Sequence, residues 1–144
     1  MENHPYQDQA NKAFDIIRLY AKARKNGFWL EAIDLLYILL EFNLRFLLTS
    51  KADSKNGTFG RSKIDKQEYL MELANLAKDN YFIGKELYKK IKEFNRARSN
   101  AIHGLIQGRI SYQELKNVCE QSSSLQGDIQ RIWLPITVGE IETR

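Results

Sequence analysis

Arginine, asparagine and histidine crowd around a glycine in the run Phe94-Asn95-Arg96-Ala97-Arg98-Ser99-Asn100-Ala101-Ile102-His103-Gly104. Four residues separate Arg98 from His103, and six separate Arg96 from His103. A guanidinium grips a phosphate through paired N–H donors, and an imidazole exchanges protons near neutral pH. Together they make a kit for phosphodiester chemistry, in which one group holds the anion and the other moves a proton. Asn100 lies between them as a candidate orienting amide. Gly104 is conspicuous because glycine inside a helix costs on the order of 1 kcal/mol against alanine. Close approach of another backbone or of a ligand is a common reason to accept that cost.

The helix that carries this run reads from about Lys85 to Gln107, with Gly108 as its cap. On a wheel of about 100° per residue, Leu87, Ile91, Phe94, Ala101, Ile102 and Leu105 form the core stripe. Arg96, Asn100, His103 and Gln107 line the opposite side. Arg98 falls within the apolar stripe, roughly 140° around and about 7.5 Å along the axis from His103. A charge on a core face needs a carboxylate, a polar cleft or a ligand, because an unpaired buried charge costs several kcal/mol. Glu41 is the carboxylate expected to meet it, and Asp34 lies on roughly the same face as Glu41. An ion pair that only stitches helices together satisfies the same requirement without any chemistry.

Four further helices are needed to position this one. The first runs from about Asp8 to Lys25, with an apolar stripe of Ala10, Phe14, Ile17, Tyr20 and Ala21, and ends at Asn26-Gly27. The second, about Phe28 to Thr49, is apolar on nearly every side, so it is central or faces a second subunit. On it, Glu41 and Arg45 are spaced to pair along the surface. Ser50 to Ile64 reads as an irregular, glycine-punctuated, basic loop. The third helix is expected to start at Asp65, with Glu68 completing a capping box and Ile64 and Tyr69 forming a hydrophobic staple, and to run to about Asn80. Tyr69, Leu70, Leu73, Leu76 and Ala77 are its buried stripe. Ser111 and Glu114 repeat the capping-box pattern and open the fifth helix. Ser122-Ser123-Ser124 and Gly127 predict a break or bend in it, and Pro135 ends it. Residues 134–144 read as an extended C-terminal arm. The expected architecture is all-α, a single domain over residues 1–144 built as an antiparallel bundle of about five helices.

The chain has 144 residues, enough for one domain with a real core. Its one cysteine, Cys119, excludes an intramolecular disulfide and reads as a small core residue. The N-terminal Met1-Glu2-Asn3-His4-Pro5 has no signal-peptide pattern. Trp29 to Leu48 is nearly span-length but is interrupted by Glu31, Asp34, Glu41, Asn43 and Arg45. The expectation is a cytoplasmic protein with no membrane segment. No phosphate-binding glycine loop, zinc-protease motif, nucleophile elbow or paired-cysteine site is present, and no carboxylate cluster suggests a metal. No cofactor is expected.

Net charge is +4, unevenly spread. Lys51 to Lys66 carries five basic residues against two acidic, and Lys85 to Arg98 carries six against two. Basic charge therefore gathers at the motif helix, which suits an anionic partner such as RNA. Arg96, Lys92 and Gln107, with Arg61 and Lys63 from the loop, are the candidate contacts.

The motif helix resembles the signature of the HEPN superfamily, an arginine and a histidine four to six residues apart. Its surroundings are similar too. An apolar second helix carries an acidic residue (Ile38-Leu39-Leu40-Glu41-Phe42-Asn43-Leu44-Arg45), and Phe59-Gly60-Arg61-Ser62-Lys63-Ile64 follows before the motif. The resemblance spans about residues 10 to 130. It implies an all-α bundle that dimerises with motif helices face to face. In active members it implies a metal-independent endoribonuclease, some of them toxins paired with a nucleotidyltransferase-type antitoxin or parts of phage defence. Other members are catalytically inactive modules that bind RNA, a nucleotide or a partner protein. Carried over, Arg98 holds the phosphate, His103 is the general acid/base and Asn100 orients. Active members commonly have Asn, Asp or His directly after the arginine. Here Ser99 stands there, and Arg96 also fits the spacing.

Overall fold

The computed structural model describes residues 5–52 and 61–131, and among them every regular element is helical. The helices are α1 (Pro5–Lys25), α2 (Trp29–Ala52), α3 (Arg61–Asp65), α4 (Leu70–Asp79), α5 (Lys85–Ile106) and α6 (Tyr112–Gln121). After a two-residue turn the chain is helical again over 124–131, a segment called α7 below. The expected arm at 134–144 lies outside the described residues.

α2 is the central element, touching α1, α3, α4 and α6. α5 packs on α4 and α6. α2 and α5 therefore sit on the diagonal of a four-helix arrangement, with α1 outside on α2. The position of α2 follows from its composition. Ala32, Ile33, Leu36, Leu39, Leu40, Leu44, Phe46, Leu47 and Leu48 are all buried, so it presents apolar surface to neighbours on several sides. Leu40 and Leu48 are fully enclosed. Truncating either to alanine costs about 2–5 kcal/mol in such a setting. Asn43 is the buried polar residue of this helix, and its amide nitrogen donates to the Leu39 carbonyl at 2.6 Å.

Three helices end in the same way. After α1, the Phe28 N–H donates to the Ala23 carbonyl and the Gly27 N–H to Arg24, with Gly27 at φ 75°. After α5, Arg109 N–H donates to Gly104 and Gly108 N–H to Leu105, with Gly108 at φ 69°. After α4, Phe82 N–H donates to Ala77 and Tyr81 N–H to Lys78, with Tyr81 at φ 62°. These are Schellman motifs, whose left-handed position normally takes glycine. Only the α4 end uses a side chain that the conformation disfavours.

Several expectations need correction. The Ser50–Ile64 stretch is not one irregular loop: α2 extends through Ala52, and Arg61–Asp65 forms α3. Residues 53–60 lie outside the described residues. The third expected helix starts at Leu70 rather than at Asp65, because the chain spends Arg61–Asp65 on a separate helical turn. Its N-cap is Tyr69, with no side-chain cap. The Ile64–Tyr69 staple does not form, since Ile64 is buried while Tyr69 is exposed. In α1, Ala13, Tyr20 and Ala23 face the core, whereas Phe14 and Ala21 are exposed. Leu105 of the α5 stripe is also exposed, since the core ends before the last turn of that helix. The fifth helix does break where the serines predicted, at Ser122-Ser123, and Ser111 caps α6 by accepting from the Glu114 N–H.

Candidate functional site

α5 separates the motif into two sides. On the first side, Arg98 crosses the diagonal of the bundle to α2. Its Nε lies 3.5 Å from Asp34 Oδ1, and its guanidinium carbon stacks 3.9 Å from the centre of the Tyr37 ring. The expected partner Glu41 is therefore replaced by Asp34, one and a half to two turns earlier on the same helix. The Arg98 side chain is 26% exposed and that of Asp34 48%, so the pair is partly screened by water. Neither Arg98 Nε nor Asp34 Oδ1 makes an aligned hydrogen bond, although both atoms are enclosed. The contact is a Coulombic and cation–π one, not a bidentate fork.

Tyr37 extends this knot. Its hydroxyl accepts from the Leu70 N–H at 3.4 Å, at the start of α4. Burial pushes its pKa above the ordinary phenol value, and the Leu70 N–H offsets part of that rise. Glu41 is the next influence, and as a neighbouring carboxylate it also raises the Tyr37 pKa. Arg45 makes its hydrogen bond with the Gln67 carbonyl at 2.7 Å rather than along the surface with Glu41. Arg98, Tyr37, Asp34 and Leu70 thus tie α5, α2 and α4 together.

On the second side, α5 and α6 enclose an open cleft of about 520 Å³. Asn100, His103 and Gly104 line it from α5, Gln107 from the C-cap of α5, Arg109 and Ile110 from the connecting turn, and Glu114 and Val118 from α6. The local sequence explains the geometry. Gly108 reverses the chain at positive φ, Ser111 restarts the helix, and α6 runs back beside the end of α5. Gly104 permits the close return. A Cβ on it would meet the Ile110 Cβ at 3.0 Å. The tight approach of Ile110 therefore favours glycine here without recourse to a ligand. Ser111 Oγ donates to Glu114 Oε1 at 3.3 Å, which holds the carboxylate at the cleft.

The structure brings together three of the sequence candidates: Asn100, His103 and Gln107. It does not bring Arg98 to them. Arg96 and Lys92 are exposed on α5 but outside the cleft lining, and Lys63 is exposed on α3, which packs on α2. Arg61 opens α3, and its side chain lies outside the described residues. Two cleft residues were missed from sequence, Arg109 and Glu114. Their signal was present in Gly108 and the Ser111 capping box, which together predict a tight hairpin returning α6 onto the histidine's side.

Chemically, the cleft offers an imidazole, a carboxylate, a guanidinium and two amides. That set can bind a phosphodiester and move protons on it. Among the described residues no group of three or more His, Cys, Asp or Glu side chains is placed to hold a metal ion. Nor is any described helix long and apolar enough to cross a membrane. No family model, curated protein or solved structure matches this chain.

Proposed function

We propose that the protein is a metal-independent endoribonuclease whose acid/base is His103. The observation that carries this reading is the convergence of His103, Asn100, Gln107, Arg109 and Glu114 on one cleft. The likeness of the motif helix to the HEPN signature points the same way. In the reaction, the ribose 2′-hydroxyl oxygen bonds to the adjacent phosphorus while the bond from phosphorus to the 5′ oxygen breaks. A base takes the 2′ proton, an acid supplies one to the leaving oxygen, and a 2′,3′-cyclic phosphate results. His103 serves in one of these roles and Glu114 is the second titratable group of the cleft. Arg109 takes the phosphate, because Arg98 faces α2 and reaches such a cleft only across a second copy of the chain. The exposed Leu105 and Ile106 at the end of α5 give a homodimer apolar surface beside the site.

A second reading is a non-catalytic module that binds RNA, a nucleotide or a partner protein. The engagement of Arg98 by Asp34 and Tyr37 favours it, since the motif arginine is already committed to the fold. Incubation with total RNA in excess chelator decides between the two. The enzyme reading expects cleavage by wild type and a loss of at least about 10²-fold in His103→Ala, with an unchanged unfolding midpoint. Cleavage that survives His103→Ala, or that EDTA removes, sinks it. Binding by wild type without cleavage establishes the module reading.

A further inference from the structure

At the far end of α5 from His103, about 27 Å along the helix, Tyr81 combines a disfavoured backbone conformation with an almost fully exposed ring. Its backbone is left-handed, at φ 62°, where the two other Schellman turns among the described residues use Gly27 and Gly108. Its side chain is 93% exposed. A non-glycine residue in this conformation is strained by on the order of 1 kcal/mol. The Schellman hydrogen bonds need the left-handed backbone but not a tyrosine, and non-glycine residues held so concentrate at sites that act on something else. The contrast with Tyr112 is direct. Tyr112 is also exposed, yet its hydroxyl donates to the Gly27 carbonyl at 2.7 Å and its ring meets Trp29 edge-on.

The surroundings of Tyr81 say what that something is. An open cleft of about 470 Å³ runs beside it, lined by Lys78, Lys85, Ile83 and Tyr88. That volume is within the range of small-ligand sites. Lys78 Nζ lies 4.3 Å from the centre of the Tyr88 ring, and Tyr88 is fixed by donating to Asn75 Oδ1 at 2.6 Å. Asp79 also lines the cleft, 3.9 Å from Lys78, and removes part of the positive charge. What remains is an exposed aromatic ring that lines one cleft with two lysines. Proteins hold single strands in this way, with bases stacked on aromatic rings and backbone phosphates on neighbouring cations.

We propose that Tyr81, with Lys78 and Lys85, forms a base-stacking subsite for single-stranded nucleic acid, separate from the cleft at His103. The ring takes a nucleobase, and the two lysines take the phosphates on either side of it.

The strain at Tyr81 makes the test a discriminating one. Binding is read by fluorescence anisotropy on a fluorescein-labelled single-stranded oligodeoxyadenylate of roughly a dozen nucleotides. This strand lacks the 2′-hydroxyl, so cleavage plays no part in the measurement. Tyr81→Gly should raise the thermal midpoint by a few degrees, by relieving the left-handed strain. The same substitution should weaken binding about tenfold. Tyr81→Trp should keep wild-type affinity, and Lys78→Ala with Lys85→Ala should weaken binding and flatten its salt dependence. The strand cannot be cleaved, so failure of the cleavage reading leaves this one standing, and the reverse. Equal affinity of Tyr81→Gly and wild type overturns the proposal. So does absence of binding by wild type, or preferential binding of an acidic polypeptide.

Discussion

The two sides of α5 differ in what their polar groups do. On the α2 side, Arg98 is stacked on Tyr37 and set against Asp34, and Tyr37 in turn receives the first N–H of α4. The fold consumes these groups. On the α6 side, Asn100, His103, Gln107 and Arg109 are all exposed and face a cleft. Their hydrogen-bonding capacity is left to solvent or a ligand. One helix thus carries a charged residue that holds the bundle together and a histidine that the bundle leaves free. Spacing along the sequence does not distinguish these roles, because a separation of five positions turns the helix by about 140°.

The largest test of this difference exchanges the two arginines. Arg109→Ala should lower RNA cleavage by about 10²-fold, as removal of a single preorganised charge-stabilising donor does, and leave the urea midpoint in place. Arg98→Ala should show the reverse split. It should cost about 1–2 kcal/mol of stability, from the lost cation–π and ionic contacts, and leave cleavage within a few-fold in protein that remains folded. Arg98→Lys should lose the stacking geometry on Tyr37 and destabilise by a similar amount. If instead Arg98→Ala abolishes cleavage while Arg109→Ala does not, the phosphate is held across a dimer and the two sides of α5 belong to one composite site.

A more deeply buried polar cluster lies between α1 and α6, outside the lining of the His103 cleft. The Tyr20 hydroxyl is enclosed without an aligned hydrogen bond, beside the Cys119 thiol and the Arg24 guanidinium. Burial pushes the Tyr20 pKa up to about 12 from 10.0, and burial likewise raises Cys119. The folded state therefore holds the Tyr20 proton more tightly than the unfolded chain does. The stabilisation is complete below the unfolded value of 10.0 and is lost as pH rises through about 12. Urea unfolding should show wild type losing about 2 kcal/mol more than Tyr20→Phe across that window. Equal losses in the two proteins would show that the cluster opens to water, and that the contrast between consumed and free polar groups does not extend past α5.

How far the sequence discloses this arrangement depends on the range over which each feature is determined. The Ser111 cap, the Gly27 and Gly108 stops and the serine break before α7 are set within a few residues, and each was legible. The apolar character of α2 narrowed its place to the centre of the bundle or a subunit contact, and packing within the chain buries Leu36, Leu39, Leu40, Leu44 and Leu47 together. The start of α4 misled because Asp65 and Glu68 offer a valid local cap that tertiary packing overrides. Burying Ile64 and Leu70 places a turn between α3 and α4. The expected partner of Arg98 was Glu41, on the right helix but about two turns from Asp34. Choosing Asp34 over Glu41 needs the offset of α5 along α2, which no local signal encodes. Arg109 and Glu114 were missed for a different reason, since the Gly108 stop and the Ser111 cap that form their hairpin are local. Each is an ordinary surface residue until the hairpin sets it against His103.

Two helical glycines provide the finest test of the open side. Gly127 lies in α7, and a Cβ there would meet nothing within 4 Å. Gly127→Ala should therefore gain the full propensity difference, about 1 kcal/mol. Gly104 lies in α5 beside His103, and a Cβ there would stand 3.0 Å from the Ile110 Cβ and 3.6 Å from the Ile110 nitrogen. The tight neighbour is the Ile110 Cβ, which is fixed by the backbone, so no flexible side-chain end can move aside. The turn itself would have to shift, and it is held by the Arg109 and Ile110 N–H bonds to the Gly104 carbonyl at 2.7 and 3.3 Å. Gly104→Ala should lose about 1 kcal/mol or more despite its better propensity, because overpacking of this kind outweighs it. The shift would also move Arg109 relative to His103, so cleavage should fall further than stability does. Urea denaturation of the two variants side by side reads the sign directly. If Gly104→Ala stabilises as Gly127→Ala does, the turn is loosely seated on α5. The cleft at His103 then lacks the fixed floor that positioned catalysis requires.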